Sequence, residues 1–175
     1  MIYPHFKGSF WTLCTILGGV ELEPYPIWRY ARAVKNNVKF VLNKHRIGMM
    51  LFLDDLPLQL GAYHQIGTNN IILNHTLIQI VEENKKSKQV INSFIYTLLL
   101  HEYLHSLGYI NEAKVKTLVY EISKKCFGNR YLATKFAKFG PWHILDKLPL
   151  NIIKPSKRMI KIVKNFEKTK QDYII

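Results

Sequence analysis

Apolar and polar residues alternate along the first half of the chain in patterns that predict one helix and three short strands. From residue 27 to about 42, apolar residues recur at helical spacing opposite a basic side, which predicts an amphipathic helix. An apolar run at 49–53, closed by two aspartates and a proline, predicts a buried strand. Two more strands, at 61–66 and 71–74, flank a Gly-Thr-Asn-Asn turn. Prolines and a Gly-Gly pair make residues 1–26 irregular or partly extended.

Helical spacing dominates the second half of the chain. A loop rich in lysine is expected at 85–88, and helices are predicted at residues 76–83, 89–107 and 111–125. Residues 156–170 combine apolar residues with lysine and arginine, which predicts a basic helix that is docked on the protein or binds a partner. We expect one domain over residues 1–175, with a core at about 27–145 and a basic tail at 146–175.

The predicted helix at 89–107 is apolar almost all round, which is typical of a helix buried inside a protein. It nevertheless contains His101, Glu102 and His105 in a His-Glu-x-x-His motif. Polar groups without partners in a low-dielectric interior cost roughly several kcal/mol, so a shared metal ion would satisfy all three side chains. Gly108 suits the left-handed turn that ends many helices. The alternative is an ordinary helix with two surface histidines and a solvated glutamate.

The spacing of the motif suits a zinc hydrolase. Residues four apart on an α-helix share one face, so the imidazoles of His101 and His105 can bind the same ion. A carboxylate beside them, that of Glu102, can take a proton from metal-bound water, whose pKa the ion lowers to about 7. We therefore predict Zn²⁺ as cofactor, with His101 and His105 as ligands and Glu102 as general base.

A catalytic zinc needs a third protein ligand beside an open water position, and three residues are candidates. If the next helix returns antiparallel from Asn111, then Glu112 lies level with His105 and can reach the ion. Glu112 could instead only add favourable charge to a helix N-terminus that Asn111 caps. His143 is the only histidine downstream of the motif. Glu121 is the weaker candidate, because it lies about two and a half turns after Glu112 and faces the opposite side.

The order of elements over residues 49–125 resembles the zincin metallopeptidases. The tripeptide Asn111-Glu112-Ala113 is similar to the start of the glutamate helix of gluzincins, in which Glu is the third zinc ligand. In size and plan the chain is similar to the minigluzincins. The resemblance implies a small α+β domain, with a short mixed sheet packed on helices that include a buried active-site helix. Lys116 departs from the gluzincin pattern, which has an acidic residue at that position to orient a ligand histidine.

The resemblance also implies an edge strand beside the substrate cleft, formed here by residues 61–66 or 71–74. An extended peptide can pair with such an edge through main-chain hydrogen bonds. His64 lies on one of these strands and could face the cleft, but a surface position is the simpler expectation. The same expectation, a surface or turn position, applies to His5, His45 and His75.

Composition adds a strong positive charge. The formal net charge is +13 and the pI is about 9.7, which fits either a solvated lysine-rich surface or contact with nucleic acid or another polyanion. The two cysteines are far apart and have no Cys-x-x-Cys spacing, which favours a reducing cytoplasm. No apolar run is long enough to cross a membrane.

The sequence therefore predicts a zinc metallopeptidase that acts on a peptide or protein substrate. The rival hypothesis is a zincin-like protein without protease activity, which binds RNA, a ribosome or another acidic partner through its basic surface. A third is a protease held latent by its basic C-terminal helix.

Overall fold

A computed structural model describes residues 27–84, 87–142 and 160–164. The predictions for residues 1–26, for His5 and for His143 lie outside the described residues, as does most of the predicted C-terminal helix. Within the described ranges, no helix has both the length and the hydropathy required to cross a membrane.

The described residues form an α+β fold, as predicted. The helices are α1 (Ile27–Leu42), α2 (His75–Glu83), α3 (Lys88–Ser106), α4 (Glu112–Phe127) and α5 (Leu132–Phe139). The strands are β1 (Met50–Asp54), β2 (Ala62–His64), β3 (Asn70–Asn74) and β4 (Lys161–Ile162). The sequence patterns predicted the first four helices and the first three strands to within a few residues at each end.

The sheet is mixed, with strand order β2-β3-β1-β4. The central pair, β1 and β3, is parallel, with Leu51 opposite Ile71 and Leu53 opposite Leu73. These four side chains are buried in the main core. Strands β2 and β4 pair antiparallel on the two outer sides. Strand β2 is therefore an edge, as expected for 61–66, whereas the 71–74 strand is internal.

Helix α3 forms the centre of the fold, because it contacts β2, β3 and all the other described helices. Its apolar residues are buried on several sides, which agrees with the all-round apolar pattern. Polar pairs in the core attach it to α1: the Tyr30 hydroxyl donates to the Asn92 side chain at 2.6 Å, and the Asn37 amide donates to the Tyr96 hydroxyl at 2.9 Å. Satisfied buried hydrogen bonds of this kind restrict how α3 can rotate or slide.

The prediction of a helix at 156–170 is wrong for the part that the structure describes. Lys161 and Ile162 form β4, which pairs with β1, and the amide of Val163 donates to the carbonyl of Leu51 at 2.9 Å. Ile160 and Ile162 are 66% and 60% exposed, so they are not the docked face of a helix. The edge of β1 offers main-chain groups that need partners, and this tertiary pairing overrides a local helical pattern.

Helix α5 was not predicted. Its eight residues are bracketed by Gly128 on one side and by Gly140 and Pro141 on the other. Ala133 and Phe136 are fully buried, and the helix packs on α3 and α4. The two flanking glycines and the helical spacing of the apolar residues between them could have indicated this helix.

Candidate metal centre

The two histidines of the motif lie on successive turns of α3, and their side chains meet on one face of the helix. The Nε2 atoms of His101 and His105 lie 3.1 Å apart. The two rings are inclined at 67° with their centroids 4.8 Å apart, so the nitrogens converge rather than stack. The side chains are 25% and 17% exposed, so neither points into bulk solvent. The alternative of two solvated surface histidines does not fit this arrangement.

Glu112 joins the two imidazoles from the first turn of α4. Its carboxylate oxygens lie 3.3 Å from Nε2 of His101 and 3.0 Å from Nε2 of His105. The Asn111 side chain accepts a hydrogen bond from the Lys114 amide at 2.9 Å, so the predicted cap is also present. Asn111 therefore caps α4 while Glu112 contacts the two histidines. The short connection between α3 and α4 places the Glu112 carboxylate beside the rings.

The three side chains lie close enough together to share one small metal ion. Ligand atoms at about 2.0–2.1 Å from a tetrahedral zinc lie about 3.3–3.4 Å from one another. The two Nε2 atoms lie 3.1 Å apart, and each lies 3.0 or 3.3 Å from a different oxygen of the Glu112 carboxylate. Taken one from each residue, the three ligand atoms all lie within 4.8 Å of one another. Two imidazole nitrogens and a carboxylate oxygen are also a ligand set of catalytic zinc sites. In the described part of the chain, His101, His105 and Glu112 are the group that could hold a metal ion.

The ring of His105 is oriented by the backbone. Its Nδ1 lies 2.8 Å from the carbonyl oxygen of Tyr109. A carbonyl can only accept a hydrogen bond, so Nδ1 carries a proton, and Nε2 is the ring nitrogen that faces Glu112 and His101. Gly108, with φ +91°, turns the chain so that the Tyr109 carbonyl faces back to the ring. Metal-binding histidines commonly have such a partner for the second nitrogen.

Burial favours the neutral form of His101. Burial lowers the pKa of His101, and the positive charge of Lys116 also acts to lower it, whereas Glu112 acts in the opposite direction. Neutral imidazole is the form that binds metal ions. Lys116 thus does not take the orienting role of the acidic residue that the gluzincin pattern has at this position. For His105, the Tyr109 carbonyl supplies the orienting contact.

Glu102 lies on the same helix but outside the cluster of three. Burial raises the pKa of Glu102 to about 7, and a hydrogen bond from the backbone of His64 acts to lower it. This contact places the edge strand β2 directly beside the carboxylate. The His64 ring itself contacts the Asn70 carbonyl at 2.9 Å, so it ties β2 to β3 rather than entering the site.

An open cleft of about 510 Å³ borders the cluster. His101 and Glu102 line it, together with the start of β2, the middle of α4 and the end of α5. Its apolar wall includes Leu60, Leu98, Phe136, Phe139 and Trp142, and its charged rim includes Lys116 and Lys138. The sequence analysis missed the wall formed by α5, because that helix itself was not predicted.

The remaining candidates lie elsewhere. Glu121 is exposed on α4 and is not part of the cluster. His75 lies 3.6 Å from Asp55 at the start of α2, and His45 is exposed. Cys126 is buried, which raises the pKa of its thiol to about 12 and makes it an unreactive core residue.

Comparisons of the chain with protein family models, with curated proteins and with solved structures give no match.

Proposed function

We propose that this protein is a zinc-dependent peptidase of the zincin type. His101, His105 and Glu112 hold the metal, and Glu102 is the general base. The observation that carries the proposal is the convergence of the His101, His105 and Glu112 side chains, whose ligand atoms, taken one from each residue, all lie within 4.8 Å of one another. Glu102 lies on the same helix as the two histidines, and Glu102 and His101 both line an open cleft. Zinc at such a site would polarise the substrate carbonyl and acidify a water molecule.

The side chains of this protein then have distinct tasks in hydrolysis. Glu102 accepts the proton of the attacking water and delivers it to the leaving amine. Its raised pKa, near neutrality, suits a group that must both take and return a proton. The Tyr109 carbonyl keeps the protonated Nδ1 of His105 away from the metal, and Glu112 brings a negative charge to the two imidazoles.

A peptide is the substrate class that suits the cleft. Strand β2 is one of the two outer strands of the sheet, and it lies beside Glu102. An extended peptide can add to such an edge by main-chain hydrogen bonds, which aligns it without demanding particular side chains. The apolar wall of Leu98, Phe139 and Trp142 offers a site for one bulky side chain next to the scissile bond.

Metal removal tests this proposal. We expect the purified protein to contain about one zinc ion per molecule and to cleave casein or a quenched fluorescent peptide library. Dialysis against a chelator should abolish cleavage, and stoichiometric zinc should restore it. Metal content by mass spectrometry and initial rates are the measurements. Cleavage that survives complete zinc removal would contradict the proposal, and so would a site that retains iron in preference to zinc, since two histidines and one carboxylate also suit ferrous iron.

The turn at Gly108 provides a second test. Gly108→Ala places a side chain at φ +91°, which should lower the free energy of unfolding by about 1–2 kcal/mol. The same change should displace the Tyr109 carbonyl and weaken zinc binding by about tenfold. Denaturant unfolding of the metal-free protein and a zinc competition titration measure the two effects.

Gly67→Ala is the matched control for Gly108→Ala. Gly67 has φ +85°, and like Gly108 it has open space where a Cβ would lie. It should show the same loss of stability without any loss of zinc affinity. Equal zinc affinity in the two variants would refute the role of the Tyr109 carbonyl.

The rival function is binding of RNA, a ribosome or another acidic partner without hydrolysis. The net charge of +13 is the observation that favours it. A zinc-loaded protein that cleaves no peptide but binds RNA with steep salt dependence would support this function instead.

A further inference from the structure

A second cavity, of about 330 Å³, lies between α4 and α5. Three lysines line it, Lys124, Lys135 and Lys138, together with the rings of Tyr120 and Phe139. Its other described lining residues are an asparagine and a threonine, and none of the described lining residues is acidic. The three lysine side chains belong to exposed residues, so the cavity is an open, positively charged pocket.

The lysine pocket and the metal-site cleft are neighbours, because Lys138 and Phe139 line both. The cleft adds a further lysine, Lys116, which is close enough to His101 to act on its pKa. A basic path thus extends from the candidate metal centre, past the end of α5, to the pocket. A peptide bound along this path would place its cleavable bond at the candidate metal centre and a flanking segment in the lysine pocket.

We propose that the lysine pocket binds acidic residues of the peptide substrate, on one side of the cleaved bond. This inference rests on the proposed peptidase function and adds the substrate class: peptides with a bulky apolar residue at the cleft and a run of Asp or Glu nearby. Carboxylates match three ammonium groups by charge, and the net charge of +13 would speed the encounter with such substrates.

The ring contacts favour carboxylates over nucleobases. The Nζ of Lys124 lies over the Tyr120 ring at 5.7 Å, and that of Lys138 lies over the Phe139 ring at 5.2 Å. One face of each ring is therefore covered by a neighbouring ammonium group, whereas single-stranded nucleic acid binds by stacking bases on such faces. The pocket also has no arginine among its described lining residues, and arginine is the side chain best suited to paired contacts with phosphate.

Matched peptides test the proposal. The two peptides of a pair share one cleavage site, which is first identified with the peptide library. They differ only in four flanking residues, which are Asp or Glu in one peptide and Asn or Gln in the other. We expect kcat/KM to be about tenfold higher for the acidic peptide at low salt, with the difference mainly in KM, and the advantage to shrink as salt screens the charges. The double variant Lys124→Gln/Lys135→Gln should bring the ratio close to one.

A control variant and a binding assay complete the design. Lys39→Gln/Lys161→Gln removes the same charge from α1 and β4, outside both cavities, and should keep the tenfold preference. The inactive, zinc-loaded Glu102→Gln variant allows anisotropy binding of the acidic peptide and of a single-stranded RNA of equal charge. The acidic peptide should bind more tightly, and loss of Lys124 and Lys135 should weaken its binding.

The outcomes separate the two proposals. If the zinc-loaded protein cleaves no peptide, the peptidase function fails, and the binding assay alone decides whether the pocket takes acidic peptides. If peptides are cleaved without a preference for acidic flanks, the pocket proposal fails while the peptidase function stands. A preference that persists in Lys124→Gln/Lys135→Gln, or tighter binding of RNA through the same lysines, also overturns the pocket proposal.

Discussion

Glu102→Gln should reduce peptide cleavage by about 10²–10⁴-fold and leave zinc binding intact, because it removes the proton acceptor but not a metal ligand. Glutamine has nearly the same shape as glutamate, and Glu102 does not belong to the cluster of His101, His105 and Glu112. The measurements are kcat/KM with a fluorescent peptide and the zinc content of the same preparation. Loss of activity with zinc retained separates the general base from the metal site.

Glu121→Gln is the matched control for this experiment. It changes the same residue type on an exposed position of α4, away from the cluster. We expect wild-type activity and wild-type zinc content. If Glu102→Gln were as active as Glu121→Gln, Glu102 would not be the base, and the mechanism proposed for this site would be wrong.

His101→Ala and Glu112→Ala should each abolish stoichiometric zinc binding at micromolar protein, because each leaves only two of three protein ligands. The Glu112 side chain is 62% exposed, so its truncation creates no buried cavity and should not unfold the protein. Zinc content after gel filtration and the zinc-induced rise in melting temperature are the measurements. Bound zinc and the zinc-induced rise in melting temperature should be lost together, because zinc stabilises the folded state only if it binds to that state.

Glu121→Ala again serves as the control, and it should keep both zinc and the zinc-induced stabilisation. The comparison of Glu112→Ala with Glu121→Ala decides the identity of the third ligand between the two α4 candidates. Full zinc retention in Glu112→Ala would show that the contact in the structure is only an ion pair at a helix N-terminus, and the ligand would have to be sought elsewhere.

Much of the fold could be predicted from local patterns. The amphipathic spacing of α1 and the all-round apolar character of α3 gave those helices to within one residue or so, because helix formation depends on neighbours three and four positions apart. The short connection after Gly108 and the cap at Asn111 likewise marked where α3 ends and α4 begins. Helix α5 was missed and strand β4 was wrongly predicted as a helix, because α5 depends on its packing against α3 and α4 and β4 depends on its pairing with β1.

The sequence by itself determined the pair of histidines, because residues 101 and 105 face the same way on any α-helix. It also determined that Glu102 accompanies them and that the helix is buried. Only the tertiary structure decided which acidic residue completes the cluster and what surrounds it. The approach of Glu112, the edge strand beside Glu102 and the lysine pocket all arise from how separate elements pack, and such long-range contacts have no signature in local spacing.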